Sequence, residues 1–272
     1  MIDPETREPL RIGRSRLPAS RDDRRECKAT SASLRVAMWS GPRNISTAMM
    51  RAWENRGDCA ISDEPLYAAY LAATAADHPM REEVIAAGET NWRKVVAALL
   101  GPVPGGRSIW YQKHMAHHLL PGMGREWIHR LTNVLLIRDP REVVASYLKS
   151  RATVTAADIG LPQQAALYDQ LAAIGRPPPI IDAGDFLRTP ETCLRALCEL
   201  LHIEFTDRML HWPSGPRASD GIWAPHWYAH VWKSTGFDRS SVREIRLSGQ
   251  AAEVADACLP HYCHLHAQRL RV

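Results

Sequence analysis

Two stretches of the sequence combine basic and hydroxyl side chains at a spacing that suits the binding of an anion. The first, WSGPRNIST, follows the apolar run LRVAM and supplies the candidate residues Gly41, Pro42, Arg43, Asn44, Ile45, Ser46 and Thr47. Gly41 and Pro42 are expected to form a turn, after which backbone N–H groups point into the loop above a helix N-terminus. Arg43 adds a fixed positive charge. The alternative is an ordinary helix whose first turn is capped by a hydroxyl side chain.

The second stretch, LLIRDPREVVAS, ends the most apolar run of the chain. Asp139 is predicted to cap the following helix, Pro140 suits its first position, and Glu142 can close a capping box. These roles leave Arg138 at the strand end and Ser146 two turns into the helix, where an arginine can bind a phosphate with two parallel hydrogen bonds. The alternative is an ion pair between Arg138 and Glu142 or Asp139.

The elements that must position these residues alternate along the chain. Strands are predicted at 34–39, 59–62, 108–115, 132–138 and 179–183, and helices at 46–56, 81–100, 140–150, 163–175 and 190–201. Such alternation predicts an α/β fold of three layers, in which a parallel sheet carries helices on both faces. Ligands bind beyond the carboxyl ends of the strands in such sheets, and both anion-binding stretches fall there. The segment 212–245 is predicted to be a long loop.

The chain has 272 residues, 45% of them hydrophobic and 24% charged, which suits a single α/β domain over 34–272. The preceding tail, 1–33, lacks apolar periodicity and is predicted to be disordered or loosely attached. Residues 1–35 contain nine Arg or Lys and six Asp or Glu, so they carry +3 of the net charge of +4. The remaining chain is nearly balanced, which argues against a nucleic-acid partner.

Cysteine usage and hydropathy indicate a cytoplasmic protein without a membrane span. The sequence has six cysteines, no secretory signal and no apolar run near the ~20 residues that a spanning helix requires. Free thiols are therefore expected. The terminal segment CLPHYCHLHAQRL crowds its Cys and His too closely for the usual zinc spacing and is predicted to be a helix, so no metal is predicted.

Taken together, SGPRNIST and LLIRDPREVVASYLKS resemble the two cofactor motifs of the sulfotransferase family, whose enzymes use 3′-phosphoadenosine 5′-phosphosulfate (PAPS). The first resembles the 5′-phosphosulfate loop, with Arg43 where the family usually has Lys and with Ser46 and Thr47 as its hydroxyl pair. The second resembles the 3′-phosphate motif, formed here by Arg138 and Ser146. The later stretch IIDAGDFLRTPETCLRALCELLHIEF resembles the family's strand, acidic turn and Pro-Glu helix. The resemblance implies the P-loop-NTPase-like sulfotransferase fold.

The resemblance spans roughly 34–270 and is closest to a bacterial and plant branch, some of whose members carry aminotransferase-derived names. No lysine site for pyridoxal phosphate is predicted. Two departures stand out. Arg43 in place of Lys keeps the charge but changes its geometry. The family's glycine-rich C-terminal loop is replaced by GIWAPHWYAHVWKSTGF. Lys233, Ser234 and Thr235 are expected to close over the nucleotide and the Trp residues over the acceptor, unless the segment is simply a packed aromatic loop.

The reaction implied is sulfuryl transfer from PAPS to a hydroxyl or amine of a small-molecule acceptor. Arg43 would stabilise the leaving phosphate, and Lys113, at a strand end where the family often has Lys, would hold the transferring group. The base is predicted to be Glu64 in SDEPLY, kept ionised by Arg43 and Lys113. His117 is the alternative base, and it would titrate near its ordinary pKa of about 6.5.

Structural roles also suit both candidate bases. Met115 stands two residues after Lys113, where many members of the family have a histidine. The nearby His114, His117 and His118 are equally typical of a cluster of surface histidines. Glu64 suits a helix N-terminus, where an acidic side chain is favourable. The alternative functions are a P-loop nucleotide kinase or NTPase, which would need the missing Gly-Lys-Ser/Thr sequence, and a non-catalytic nucleotide-binding protein.

Overall fold

The computed structural model describes residues 33–238 and 245–272, and the predicted tail lies almost wholly outside these ranges. Within them the chain forms five strands: β1 Leu34–Ser40, β2 Cys59–Asp63, β3 Ile109–Met115, β4 Thr132–Ile137 and β5 Ile180–Asp182. The α-helices of the same ranges are α1 Ser46–Asn55, α2 Tyr67–Ala73, α3 Arg81–Ala87, α4 Trp92–Leu99, α5 Pro140–Tyr147, α6 Ala156–Ile159, α7 Leu161–Ala173, α8 Ala183–Arg188, α9 Pro190–Leu200, α10 Ala224–Trp227, α11 Ala229–Lys233 and α12 Gly249–Ala267. Short 3₁₀ helices lie at Pro104–Gly106, Ala116–His118, Glu126–Arg130 and Asp207–Met209.

The sheet has the strand order β2-β3-β1-β4-β5, and every neighbouring pair is parallel. Because successive side chains of a strand point to opposite faces, β1 contributes to two cores. Val36 and Met38 pack with α1, α2 and α9 on one face, whereas Ala37 and Trp39 pack with α4, α5, α7 and α12 on the other. Each large apolar side chain buried in this way stabilises the fold by about 1.5–3 kcal/mol. The predicted three-layer α/β fold is confirmed.

A crevice forms between β1 and β4 because the helices that follow these strands, α1 and α5, lie on opposite faces of the sheet. These strands are direct neighbours, yet α1 follows β1 onto one face and α5 follows β4 onto the opposite face. The two loops therefore diverge at the carboxyl ends of the strands. Such a point of divergence is the usual ligand site of an open parallel sheet.

The helix predicted over 81–100 is wrong in one respect, since the structure divides it into α3 and α4. Gly88 ends α3 with an extended backbone, and a Cβ at this position would collide with the Cβ of Ala68. The Oδ1 atom of Asn91 then accepts a hydrogen bond from the N–H of Arg93 at 3.0 Å and caps α4. The predicted loop at 212–245 also contains two short helices, α10 and α11.

The terminal Cys- and His-rich segment is helical as predicted and forms part of α12. Cys59, Cys193, Cys198, Cys258 and Cys263 are free thiols, and the sixth cysteine lies outside the described residues. In the described part of the chain, no helix has the length and apolar character to cross a bilayer. The predicted cytoplasmic location stays a prediction.

Candidate active site

A cavity of about 550 Å³ lies at the carboxyl ends of β1, β3 and β4. It is lined by the loop after β1, the start of α1, the strand end at Lys113 and one side of α5. The segment that contains α10 and α11 covers one side. Its size falls within the range of about 300–1,000 Å³ that is typical of small-molecule sites.

The loop after β1 carries most of the residues predicted from the first motif. The cavity lining includes six of them: Pro42, Arg43, Asn44, Ile45, Ser46 and Thr47. Gly41 is buried, and a Cβ there would collide with the carbonyl oxygen of Ile159, so its role is to permit a close backbone approach. Gly41 is not among the described residues that line the cavity, so its predicted ligand contact stays a prediction.

The start of α1 is left open towards the cavity. The helix begins at Ser46, and no described side chain caps its first turn. Asn44 instead accepts a hydrogen bond from the N–H of Ile45 at 2.8 Å and donates one to the carbonyl oxygen of Leu136 at 2.9 Å, which fastens the loop to β4. The predicted alternative of hydroxyl capping therefore does not describe this helix, and its first amides are positioned as an anion site.

Arg43 adopts a left-handed backbone with φ 53°, a conformation that non-glycine residues rarely adopt. Its Nε atom donates a hydrogen bond to Ser146 Oγ at 3.1 Å. Burial and the nearby Arg138 guanidinium lower the pKa of Arg43 from its ordinary value. Two arginines close together in a half-buried cavity favour an anionic ligand between them.

Arg138 also lines the cavity, and its NH1 atom donates to the carbonyl oxygen of Arg43 at 3.0 Å. Its Nε atom donates to Glu142 at 2.7 Å, so the ion pair that the sequence left as an alternative is present. Asp139 caps α5 and Pro140 occupies its first turn, both as predicted. The predicted capping box is wrong, because the Glu142 carboxylate faces Arg138.

Lys113 and Glu64 meet at the ends of β3 and β2. The Nζ atom of Lys113 lies 2.6 Å from Glu64 Oε1 and 2.9 Å from Asp63 Oδ1, and it donates to the Tyr228 hydroxyl at 2.6 Å. Glu64 has a left-handed backbone with φ 43°, and its N–H donates to the carbonyl oxygen of Lys113. Strained backbone at two candidate positions, Arg43 and Glu64, is typical of functional sites.

The pKa values of Glu64 and Lys113 depend on their burial and on their attraction for each other. Burial raises the pKa of Glu64 above its ordinary value, against the opposing attraction of Lys113. Burial alone would lower the pKa of Lys113, but the two carboxylates raise it well above its usual range. The predicted attraction of Lys113 is present, but loss of water around the carboxylate outweighs it in the pKa of Glu64. That Glu64 is ionised at neutral pH stays a prediction.

His114 and His118 are buried and His117 is half-buried, so the interpretation as a surface cluster is wrong. His118 stacks between Tyr67 and Tyr70, with ring centroids 4.8 and 4.7 Å away. His117 lies beside His118 and also lines the cavity. His114 points to the opposite face of the sheet, where it stacks on Trp39 at 4.3 Å. His114 is therefore remote from the described cavity lining.

Burial keeps these imidazoles neutral. It lowers the pKa of His117 to about 4, with a smaller contribution from His78, and lowers that of His118 well below the ordinary value. The expectation that His117 would titrate near its free value is thus wrong. A neutral imidazole offers one N–H donor and one acceptor nitrogen.

The segment after α9 covers the cavity, but not through Lys233. Trp227, Tyr228 and Ser234 line the cavity, whereas Lys233 is exposed and is not among the described lining residues. The prediction that Lys233 closes over a nucleotide receives no support from this geometry. The segment is held in place by Asp220, whose carboxylate accepts from Arg51 at 2.5 and 2.8 Å.

Sequence reasoning missed Asp63, Tyr228 and Tyr67. Asp63 is the last residue of β2 and directly precedes Glu64, so its position at a strand end was a usable signal. Tyr67 opens α2, one turn after Glu64. Tyr228 comes from a distant segment without periodicity, and only the tertiary structure brings it to Lys113.

A separate group of potential metal ligands lies at the end of β5. Side-chain atoms of Asp182, Asp185 and His266 lie within 4.8 Å of one another. Asp182 already accepts from the Tyr262 hydroxyl at 3.0 Å, and Asp185 accepts from Arg269 at 2.6 Å. These bonds occupy the carboxylates with protein donors, and the group includes neither cysteine of α12.

Comparison with known families decides the assignment. The model of the family described as "Sulfotransferase domain" matches residues 34–269, which is most of the chain. The chain belongs to the sulfotransferase domain family. The predicted family is therefore confirmed, and with it the description of the chain as a sulfotransferase-family enzyme.

Two Arabidopsis thaliana proteins are similar in sequence to this sulfotransferase domain. "Branched-chain-amino-acid aminotransferase-like protein 2" is 36% identical over 234 residues, 85% of this chain and 42% of that protein. "Branched-chain-amino-acid aminotransferase-like protein 1" is 40% identical over 202 residues, 74% of this chain and 36% of that protein. The chain thus spans less than half the length of these relatives, and their names describe the longer proteins.

A solved structure agrees with the fold. A sulfotransferase from Alicyclobacillus acidocaldarius superimposes with a TM-score of 0.54 over 88% of this chain and 98% of that chain, at 13% identity. At this identity the likeness concerns the fold alone. It is in accord with the sulfotransferase fold that the two motifs implied.

Proposed function

We propose that this chain transfers a sulfuryl group from PAPS to a hydroxyl or amine of a small-molecule acceptor. The observation that carries the proposal is the convergence of Arg43 and Arg138 on one cavity beside the open N-terminus of α1. Two guanidinium groups and a set of first-turn amides match a donor that carries two separate phosphate positions. The sulfotransferase family generally uses PAPS.

The donor phosphates are assigned to different elements. The 5′-phosphosulfate is assigned to the loop from Pro42 to Thr47, where amides, hydroxyls and Arg43 face the cavity. The 3′-phosphate is assigned to Arg138 and Ser146. Arg138 would exchange its ion pair with Glu142, or share it, when a phosphate arrives, because both anions compete for the same guanidinium.

The transfer breaks the bond between sulfur and the bridging phosphate oxygen and forms a bond from sulfur to the acceptor atom. The electron pair of the broken bond goes to the leaving 5′-phosphate, where Arg43 stabilises the added charge. Lys113 contributes a fixed positive charge to the cavity lining. Glu64 takes the acceptor proton, so that adenosine bisphosphate, the sulfated acceptor and a protonated carboxyl result.

The acceptor is assigned to the wall of the cavity formed by Tyr67, His117, His118 and Trp227. These side chains offer aromatic faces and neutral imidazoles. Aromatic walls with a few polar groups are typical of small-molecule pockets. The cavity volume supports a small acceptor, because the donor must share the same space.

The direct test is incubation of the chain with PAPS and a panel of phenols, alcohols and amines, followed by mass spectrometry of both products. Equal amounts of adenosine bisphosphate and a product heavier by one SO₃ group are expected with at least one acceptor. Binding of the bisphosphate without turnover on any acceptor would instead favour a non-catalytic nucleotide-binding protein. Release of phosphate from ATP would favour the nucleotide kinase or NTPase.

A further inference from the structure

Lys113 is the centre of a buried network that uses all three hydrogens of its ammonium group. Its partners are Asp63 at 2.9 Å, Glu64 at 2.6 Å and the Tyr228 hydroxyl at 2.6 Å. The side chains of Lys113 and Asp63 are each 2% exposed, and that of Glu64 is 12% exposed. An ammonium has three donors, so its orientation here is fixed by three acceptors from two segments of the chain, the end of β2 and the segment around Tyr228.

The two carboxylates of this network are not equivalent. Glu64 lines the cavity, whereas Asp63 lies behind it and is absent from the described lining. Both oxygens of Asp63 accept from Tyr228, at 2.9 and 2.8 Å, and one also accepts from the N–H of Gly221 at 3.1 Å. Asp63 is thus saturated by protein donors, while Glu64 is the carboxylate available to a ligand.

Tyr228 connects this network to the segment that covers the cavity. Its hydroxyl accepts from Lys113 and donates to Asp63, and its oxygen also lies 3.3 Å from Trp223 Nε1. Tyr228 and Gly221 both belong to that covering segment. The position of the segment and the electrostatics of Glu64 are therefore linked through the Tyr228 hydroxyl and the Gly221 N–H.

We propose that Asp63 and Tyr228 are positioning residues that set the basicity of Glu64: Asp63 competes with Glu64 for the Lys113 ammonium, and Tyr228 moderates that competition. This inference rests on the proposed function for its catalytic meaning. If the Lys113 ammonium donated to Glu64 alone, Glu64 would be a weak base. Because Asp63 also accepts from this ammonium, Glu64 is better suited to accept a proton. Asp63 lies outside the described cavity lining and would act without touching either substrate, whereas Tyr228 would act through its bonds to Lys113 and Asp63.

The groups around Glu64 affect its pKa with opposite signs. Burial raises the pKa of Glu64, Lys113 lowers it, and the like charge of Asp63 raises it. The Tyr228 hydroxyl donates its single hydrogen to Asp63, which weakens the competition of Asp63 for Lys113 and so favours a lower pKa of Glu64. Removing the charge of Asp63 should therefore lower the pKa of Glu64, and removing the Tyr228 hydroxyl should raise it. A general loss of structure would not give two shifts of opposite sign.

The test is a carbon-13 NMR titration of the glutamate carboxyl groups in the full chain without any donor or acceptor. The Glu64 signal is assigned by its disappearance in Glu64→Gln. Asp63→Asn is expected to move the Glu64 midpoint to lower pH, and Tyr228→Phe to move it to higher pH. Tyr262→Phe is the matched control, because it removes another tyrosine–aspartate hydrogen bond far from Glu64 and should leave the midpoint unchanged.

Unchanged midpoints in both folded variants, or shifts in the same direction, would overturn the proposal. If Asp63→Asn does not fold, Tyr228→Phe alone decides, since a midpoint that stays or falls contradicts the inference. The titration involves no sulfuryl transfer, so a failure of the proposed function would leave its result standing. Conversely, a working enzyme with unshifted midpoints would reject the positioning role alone.

Discussion

Arg43 donates a hydrogen bond from its Nε atom to Ser146 Oγ at 3.1 Å, and this bond joins the loop after β1 to the helix after β4. The two residues come from different motifs that lie about a hundred positions apart in the chain. The bond spans the crevice where the donor phosphates are assigned. Ser146 therefore binds Arg43 and also lines the cavity with its hydroxyl group.

Ser146→Ala should weaken the binding of adenosine bisphosphate. The change removes one phosphate donor and leaves the Nε atom of Arg43 without this partner, a loss of about 0.5–1.5 kcal/mol or roughly two- to tenfold in affinity. Calorimetric titration measures it. Ser150→Ala is the matched control, because Ser150 is exposed and lies outside the described cavity lining. Equal losses in both variants would contradict the assignment of Ser146.

Glu142→Gln should tighten the binding of the same ligand. The Glu142 carboxylate neutralises Arg138 and repels an incoming phosphate, and the pair is partly exposed, so a gain of about two- to fivefold is expected. The control is Glu191→Gln, which disrupts another Arg–Glu pair of the same helical spacing, on α9. Weaker binding in Glu142→Gln would mean that Glu142 holds Arg138 in its binding orientation.

Glu64→Gln should keep the affinity for adenosine bisphosphate and slow turnover by about 10²- to 10⁴-fold, the usual contribution of a general base. The wild-type rate should rise with pH through a pKa above the ordinary glutamate value, because burial raises the pKa of Glu64 and only its ionised form accepts a proton. The amide variant should lose this dependence. His117→Asn is the alternative variant. If His117→Asn abolishes turnover while Glu64→Gln does not, the base is wrongly assigned.

The position of the pH dependence alone does not distinguish these two bases. Burial lowers the pKa of His117 to about 4, so an imidazole base would also give an acidic midpoint. The two variants are therefore needed together. The sequence could not indicate this, because it gives the order of His117 and His118 but not their burial against Tyr67 and Tyr70.

The buried histidines should make the fold sensitive to mild acid. The pKa of His114 is lowered to about 3 by burial and that of His117 to about 4, whereas the unfolded chain binds these protons near about 6.5. Between these values the unfolded state holds more protons, so stability falls as pH falls. Each histidine contributes a loss of about 1.4 kcal/mol per pH unit.

Urea unfolding between pH 6.5 and 5 checks this expectation. His114→Asn should reduce the slope of unfolding free energy against pH by the contribution of one histidine. A wild-type stability that stays constant over this interval would contradict the buried, neutral state of these side chains.

Local patterns were sufficient for the framework of the site. Gly41, Pro42 and Arg43 follow a strand of apolar residues, and the motif around Arg138 combines a strand end with a capped helix, so both positions were readable from spacing. The sheet and its parallel character followed from the alternation of elements, whereas the crevice depends on which faces of the sheet α1 and α5 cover. The split of 81–100 was not predicted, because the close contact of Gly88 with Ala68 is tertiary.

The parts that sequence could not supply depend on long-range contacts. Lys233 is basic and lies in the right segment, but its backbone position directs it to solvent. Tyr228, in the same segment, reaches Lys113 over a separation of 115 residues. The raised pKa of Glu64 reflects burial, which the charges of Arg43 and Lys113 in the sequence could not reveal.

The central claim is that Arg138 and Ser146 bind the 3′-phosphate of the donor. Calorimetric titration of the full chain with 3′,5′-adenosine bisphosphate and with ADP, both without Mg²⁺, tests it most directly. The bisphosphate is expected to bind more tightly than ADP. Arg138→Ala should remove that preference, with a loss of about 1.5–3 kcal/mol or roughly ten- to more than a hundredfold in affinity for the bisphosphate. Equal affinity of the wild-type chain for ADP and the bisphosphate would contradict the account.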